Sequence, residues 1–557
     1  MKKLLQSFLF LLVVSLPLFS LPPQKILYSD DWAYEALGIL SREQKTVLMA
    51  DSSLTVQQFE RFLSEIDPES LSPAGGELYK RLKDYLNSDA ALSYTSDYLS
   101  VGFDPVIQPE LYFKNSKDVP WIYSAHSRHS LALLPVSLSL NKWVTMEMDI
   151  QVGQNEYAAT LHDNYVNIPL EPVSQFDIHF PKRSYLSAGI PLGKASGISF
   201  AFGQGEDFFG QTHTGSIILS EYLERIIYAQ LSLYSPALRY TAEVMQYEVN
   251  KYQYMHYLQV RPFKSFSISL AEGVMVNAPL ELRFLNPFTI FHSYESYNTY
   301  TDYNDDTANG GDAGVADSTG ASRIGSYFGA KLEWQPVKYL RLYGLFAMDQ
   351  LQLGVEKDNW EEDLTPNAMA FQGGAELSLP GKNGYWIFGI EGVYTYPYMY
   401  VLWDKHWSFY KEVPEADRMT LRYWTGTPFG PDSVAGAFWA GFKSSSRWGL
   451  TFSFLISAQG ERSGLDIFDH DNLPGDSYRP THDVYDVTAP PTGIPVYTMT
   501  ARVLGEWAPL SWLSFLAQPG YSFINNQGHE KGRSAQGFEI ALSARLSLPP
   551  KQSLSIP

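Results

Sequence analysis

The chain has 557 residues, more than one soluble core usually holds, and a formal net charge of −19; that balance argues against a nucleic-acid partner, which needs a basic face. Charged residues make up only 18%, below the ~25% usual for soluble domains, while 37 Tyr, 32 Phe and 13 Trp bring aromatics to 15%. There is no Cys, which excludes disulfides, thiol catalysis, thiolate metal sites and lipidation on an N-terminal Cys.

Residues 1–20 read MKKLLQSFLFLLVVSLPLFS. Lys2 and Lys3 precede a short apolar run, Leu4 to Leu18, with Pro17 near its end. This predicts a secretory signal peptide rather than an uncleaved anchor. No later run approaches the ~18 apolar residues of a spanning helix. In lipid, only helices and closed barrels satisfy every backbone polar group. An exported, Tyr-rich chain without a spanning helix therefore points to a transmembrane β-barrel.

Residues 21–90 read as a small helical bundle. Ser41 to Gln44 and Thr55 to Gln58 each fit a capping box. Val56, Phe59, Phe62, Leu63 and Ile66 recur at helical spacing. Ser72 and Pro73 supply an N-cap and first-turn proline, followed by Leu78, Leu82, Tyr85 and Leu86 on one side. Preceding a barrel in an exported chain, this bundle is expected in the periplasm.

From about residue 91 to 557 the apolar period changes to two. Phe538, Ile540, Leu542, Ala544, Leu546 and Leu548 share one face, with Glu539, Ser543, Arg545 and Ser547 on the other. Residues 324–334 and 338–349 repeat the pattern. A soluble sandwich also alternates, so loop lengths decide. Short connections at 235–236, 262–264, 335–337, 380–383, 444–446 and 508–510 interleave with long ones at 276–320, 350–366, 397–433, 459–494 and 524–534. The link at 249–252 is short on the long side. Extended backwards, the parity adds short turns near 141–142 and 192–195 and a long loop at 153–182. The pattern predicts an antiparallel outer-membrane β-barrel of about 18 strands, with tight periplasmic turns, long surface loops and its C-terminus on the bundle side.

The stretch "VRPFKSFSISLAEGV", residues 260–274, together with "PLELRFLNPFTIFHS", residues 279–293, resembles the Wzi-type capsule-assembly family of outer-membrane proteins. "FGQGEDFFG", residues 202–210, followed by "SIILS", residues 216–220, is similar to the family's glycine-containing segment. The resemblance implies an eighteen-stranded barrel with an N-terminal helical bundle, and a lectin-like role in holding surface polysaccharide at the outer membrane. It therefore implies two partners, outer-membrane lipid and a surface glycan.

Within that second stretch, Asn286-Pro287 interrupts an apolar segment that is neither a good helix nor a good strand. By parity it begins a long external connection. Leaving it exposed to water is expensive. Phe284, Leu285, Phe288 and Phe291 are therefore expected to tuck against the barrel mouth or into the lumen, with Asn286 and Pro287 turning the chain, as a barrel-closing segment.

Sugar binding needs aromatic faces with hydrogen-bonding side chains beside them. Tyr398, Tyr400, Trp403, Asp404, His406 and Trp407 supply that set on one external loop. The competing reading is a lipid-boundary girdle, which suits Tyr394 and Tyr396 at a strand end better than loop-tip tryptophans. Arg239, Glu243, Arg261, Lys331, Glu333, Arg341, Asp349, Glu391, Glu539 and Arg545 fall on lumen-facing positions. They line a conduit or form interior ion pairs, and their mixed signs favour ion pairs.

The acidic loop Asp302 to Asp317 has Asp302, Asn304 and Asp306 at calcium-loop spacing, but Thr307 and Ala313 occupy the positions that need Gly and Glu. His470 and His482 match no metal template either, so no metal or cofactor is expected. No GxSxG or HExxH is present, and an enzyme is not expected. The leading expectation is a polysaccharide-binding barrel; the alternatives are a pore for small solutes or exported glycan, and an adhesin.

Overall fold

A computed structural model describes residues 21–548 except 97, 121–128, 155–163, 169–175, 180–182, 194, 224, 292–323, 351–366, 403–407, 415–419, 446 and 465–488. Residues 1–20, expected as a signal peptide, and both acidic loops thus lie outside the described residues.

The barrel has 18 antiparallel strands. β1 is a broken strand of three pieces, Leu99–Phe103, Val106–Ile107 and Glu110–Lys114. Its breaks fall at Pro105 and Pro109, which have no N–H for the ladder. Then come β2 (Ala132–Leu140), β3 (Val144–Gln154), β4 (Ser184–Pro191), β5 (Gly197–Gly205), β6 (Ile226–Tyr234) and β7 (Leu238–Glu248). β8 (Lys251–Phe263), β9 (Phe266–Asn277), β10 (Ile324–Trp334), β11 (Leu340–Gln350), β12 (Ala368–Gly381) and β13 (Gly384–Thr395) continue the wall. β14 (Ser433–Ser444), β15 (Trp448–Gln459), β16 (Val496–Leu510), β17 (Leu513–Asn525) and β18 (Ser534–Ser547) complete it. β18 pairs with the last two pieces of β1, with Leu542 opposite Leu111, and this closes the sheet.

The period-two reading sets which face is which. On β13, Trp386, Phe388 and Ile390 are exposed outward while Ile387, Glu391 and Val393 are buried inward. The apolar outer face repeats around the wall, as an acyl environment requires. Trp334, Trp386, Trp448 and Trp507 cluster outside the short turns, a girdle that the sequence pattern did not bring out. Among the described residues no helix is long and apolar enough to cross a membrane.

Three helices precede the wall: α1 (Trp32–Glu43), α2 (Val56–Ser64) and α3 (Pro73–Leu86). Thr55 and Gln58 form the expected capping box, and Ser72 caps α3 ahead of Pro73. The box expected at Ser41 is absent. Asp31 caps α1 ten residues earlier, and Ser41 sits in its last turn, donating to the Gly38 carbonyl at 2.8 Å. Leu37, Leu40, Phe59, Phe62, Leu82 and Leu86 form the bundle core. The bundle seats on the short-turn end. Val47 N–H donates to the Lys264 carbonyl at 2.7 Å, Tyr339 N–H to Arg42 at 2.6 Å, and Arg81 to Ser445 at 3.1 Å.

Candidate functional site

The connection between β5 and β6, residues 206–225, does not project away from the barrel. It enters the lumen from the long-loop end and meets the bundle. Gly210 and Gly215 take φ of 97° and 95°, backbone that a side chain strains. Between them the chain doubles back: Phe209 N–H donates to Leu219 at 2.9 Å, and Ser216 Oγ donates to Phe209 at 2.6 Å. Ile217, Ile218 and Leu219 are fully buried among Tyr257, Tyr327, Leu345 and Tyr400.

Wall side chains satisfy much of the plug's backbone. Gln372 accepts from Ile217 N–H at 3.1 Å and donates to the Gly215 carbonyl at 3.0 Å. Glu391 accepts from His213 N–H at 2.8 Å and Thr214 N–H at 2.9 Å, and from the hydroxyls of Thr214 and Tyr343. Arg341 donates to the Gln211 carbonyl at 2.8 Å. The His213 ring stacks on Trp439 at 3.8 Å, and burial holds its pKa below the ordinary histidine value. On the bundle side, Gly210 N–H donates to the Asp51 carbonyl at 3.1 Å, and Asp207 accepts from Ser53 N–H at 2.8 Å.

Five of the ten predicted lumen charges, Arg261, Lys331, Glu333, Arg341 and Glu539, make ion pairs among the described residues. Asp51, Lys331, Glu333, Arg341, Glu376 and Arg42 form one chain of alternating sign: Lys331 contacts Asp51, then Glu333 at 2.6 Å. Arg341 bridges Glu333 at 3.0 Å and Glu376 at 3.1 Å, and Arg42 reaches Glu376 at 2.5 Å. Its two ends belong to the bundle and its middle to the wall. Arg261 pairs with Glu65 at 2.7 Å, and Glu539 with Arg502 at 2.7 Å. Asp349 accepts from Tyr400 N–H at 2.6 Å. Arg239 and Glu243 are buried on the same lumen face. Arg545 differs: it is exposed and lines the remaining cavity.

That cavity, about 1380 Å³, lies between the bundle and the walls of β1–β3 and β15–β18. Its lining carries both signs, including Lys25, Asp30, Arg183, Glu206 and Glu221, and reaches the short turn at Trp512. Burial pushes the Glu221 carboxyl up to about 7.

The aromatic loop is divided. Trp403, Asp404, His406 and Trp407 lie outside the described residues. Tyr398 and Tyr400 are 2% and 0% exposed, so neither offers a face to a sugar. Tyr398 packs with Ala368 and Val401, and the Tyr400 hydroxyl donates to the Ile217 carbonyl at 2.7 Å. The base of the loop is fixed: Leu402 N–H donates to Ser408 Oγ at 2.9 Å, and Phe409 N–H to the Tyr400 carbonyl at 2.8 Å.

The barrel-closing assignment for residues 284–291 is corrected. Phe284 and Phe291 are buried, but against Tyr254, Val274, Val276 and Ile324, whose side chains point away from the lumen. Leu285 and Phe288 are 40% and 90% exposed, and Pro287 holds its carbonyl to the outward Tyr240 hydroxyl. Residues 206–225 already occupy the interior behind this part of the wall, and the outer wall offers an equally apolar surface. The sequence carries only a local hint of the plug: Gly210 and Gly215 shortly precede the apolar run Ile217 to Leu219.

No family model matches the chain, and no curated protein matches it. Among solved structures, the carbohydrate-binding β-barrel Wzi of Escherichia coli, involved in group 1 capsule assembly, superposes with a TM-score of 0.57. That match has 11% identity and covers 93% of this chain and 98% of that one. OprD of Pseudomonas aeruginosa reaches a TM-score of 0.38 at 9% identity, over 80% and 95% of the two chains. The DcaP channel of Acinetobacter baumannii reaches 0.33 at 8% identity, over 82% and 99%. Over 93% of its length the chain has the fold of the Wzi barrel.

Proposed function

We propose that this chain is an outer-membrane barrel that binds, anchors or organises surface polysaccharide, with its long loops at the cell surface and its bundle in the periplasm. The observation that carries this reading is the filled lumen. Residues 206–225 occupy it from one end and hydrogen-bond to the wall, the bundle seats at the other, and an alternating ion chain ties the bundle to the wall. A conduit needs the opposite, a continuous wet path lined by like charge. With transport disfavoured, activity falls to the surface loops.

Contact with glycan is assigned to Trp403 and Trp407, with Asp404 and His406 as hydrogen-bonding partners. The pinched base from Leu402 to Ser408 supports this, because a short loop held at both ends loses less freedom on binding. The role is non-enzymatic. Arrays of bacterial surface polysaccharides probed with the purified barrel test it: the wild type retains glycan and Trp403→Ala/Trp407→Ala does not. Absence of retention by the wild type on any surface glycan overturns the reading.

A further inference from the structure

The segment after β9, residues 278–291, is clamped to the outside of the barrel. Phe284 packs on Tyr254 with ring centroids 5.1 Å apart, and Phe291 on His256 at 4.3 Å. Both partners sit on the outward face of β8. The other face of the segment is apolar and uncovered: Leu282 is 79% exposed, Phe288 90% and Ile290 64%. In water this arrangement is costly.

The backbone of the segment suits a medium without water. Pro279 and Pro287 have no N–H to satisfy. Glu281 N–H donates to the Tyr254 hydroxyl at 3.0 Å, and the Tyr240 hydroxyl donates to the Pro287 carbonyl. Asn286 Oδ1 accepts from Phe288 N–H at 3.2 Å, and the Asn286 carbonyl from Thr289 N–H at 3.1 Å. Glu281 and Arg283 pair at 2.5 Å. Beneath the segment lies a polar patch on an otherwise apolar wall. Tyr240, Tyr254, His256 and Glu272 all face outward, and His256 stands directly opposite Glu272 in the ladder. Polar groups facing hydrocarbon need partners within the protein.

We infer that residues 279–291 form a lipid-facing strap, which roofs this outward polar patch and presents Leu282, Phe288 and Ile290 to the acyl chains of the leaflet at the long-loop end. The occupant is lipid rather than a second copy, because the uncovered face is continuous with the apolar belt of the wall. The strap thus moves the membrane contact surface outward at β7–β10 while keeping the polar patch dry.

The absence of Cys makes single-site labelling direct. Nitroxides are placed by Phe288→Cys and Ile290→Cys on the strap, Leu270→Cys on the wall belt and Glu530→Cys on an exposed loop. Each barrel is reconstituted singly in phospholipid nanodiscs, with folding checked by the mobility of the unboiled protein. Collisions with oxygen and with a water-soluble nickel chelate are then compared. The proposal expects the strap labels to shift toward oxygen, as Leu270→Cys does. Strap labels that follow Glu530→Cys overturn it. So do strap labels that follow Leu270→Cys only at high protein density, with spin–spin broadening, since a second copy then supplies the cover.

Discussion

The hydroxyl of Tyr400 and the carbonyl of Ile217 meet at 2.7 Å, and the Tyr327 hydroxyl meets the same carbonyl at 2.7 Å from β10. One buried acceptor thus ties an external connection, the wall and the plug. Either tyrosine alone keeps that carbonyl satisfied. Tyr400→Phe is therefore expected to cost about 1 kcal/mol. Tyr327→Phe/Tyr400→Phe leaves the oxygen dry and unpartnered, and is expected to cost more than the two single changes summed. Urea unfolding of the four proteins in one detergent gives the cycle; strict additivity contradicts the shared-acceptor account.

Lys331 holds Asp51 of the bundle and Glu333 of the wall in one buried contact. Lys331→Met leaves buried Asp51 without an ion-pair partner among the described residues, while Glu333 keeps Arg341, and is expected to destabilise by about 3 kcal/mol. Because Asp51 is also the plug's anchor, the variant is expected to loosen the plug. Planar-bilayer recordings should show a silent wild type and intermittent conductance from Lys331→Met. Steady open conductance from the wild type contradicts a filled lumen.

Two groups facing the plugged interior set a pH window. Glu221 has a folded pKa of about 7, raised by burial, so the native state binds its proton more tightly than the unfolded chain. Its contribution is complete below the ordinary glutamate value of about 4.5 and is lost as pH rises toward about 7. His213 is shifted down by burial, so stability is lost as pH falls below the ordinary histidine value of about 6.5. Glu221→Gln is expected to flatten the decline between pH 5 and 7, measured as the temperature at which the folded gel band disappears. An unchanged slope contradicts the assignment.

The wall was legible because a lipid-spanning strand leaves two strong marks, a two-residue period and a parity of loop lengths. Leu542 over Ser543 and the turn at Ser235 carry those marks without help from distant residues. The plug was not legible because residues 206–225 have no period. Their partners Gln372, Glu391 and Arg341 lie more than a hundred residues away, and only closure of the barrel brings them near. The strap was misplaced for a different reason. Phe284 and Phe291 signal burial, but a membrane barrel offers apolar surface on its outside as well as inside, and apolarity alone does not choose between them. Tyr400 reads as a sugar platform in sequence, yet its hydroxyl finds a carbonyl inside the barrel before any ligand can.

The polysaccharide role is tested most directly by equilibrium binding of purified bacterial surface polysaccharide to the barrel in nanodiscs, comparing wild type with Trp403→Ala/Trp407→Ala. Buried aromatic anchors dominate such contacts, so the double variant is expected to bind about tenfold more weakly or worse while its unfolding midpoint stays unchanged. Equal binding by the two proteins, or none by the wild type, contradicts the account.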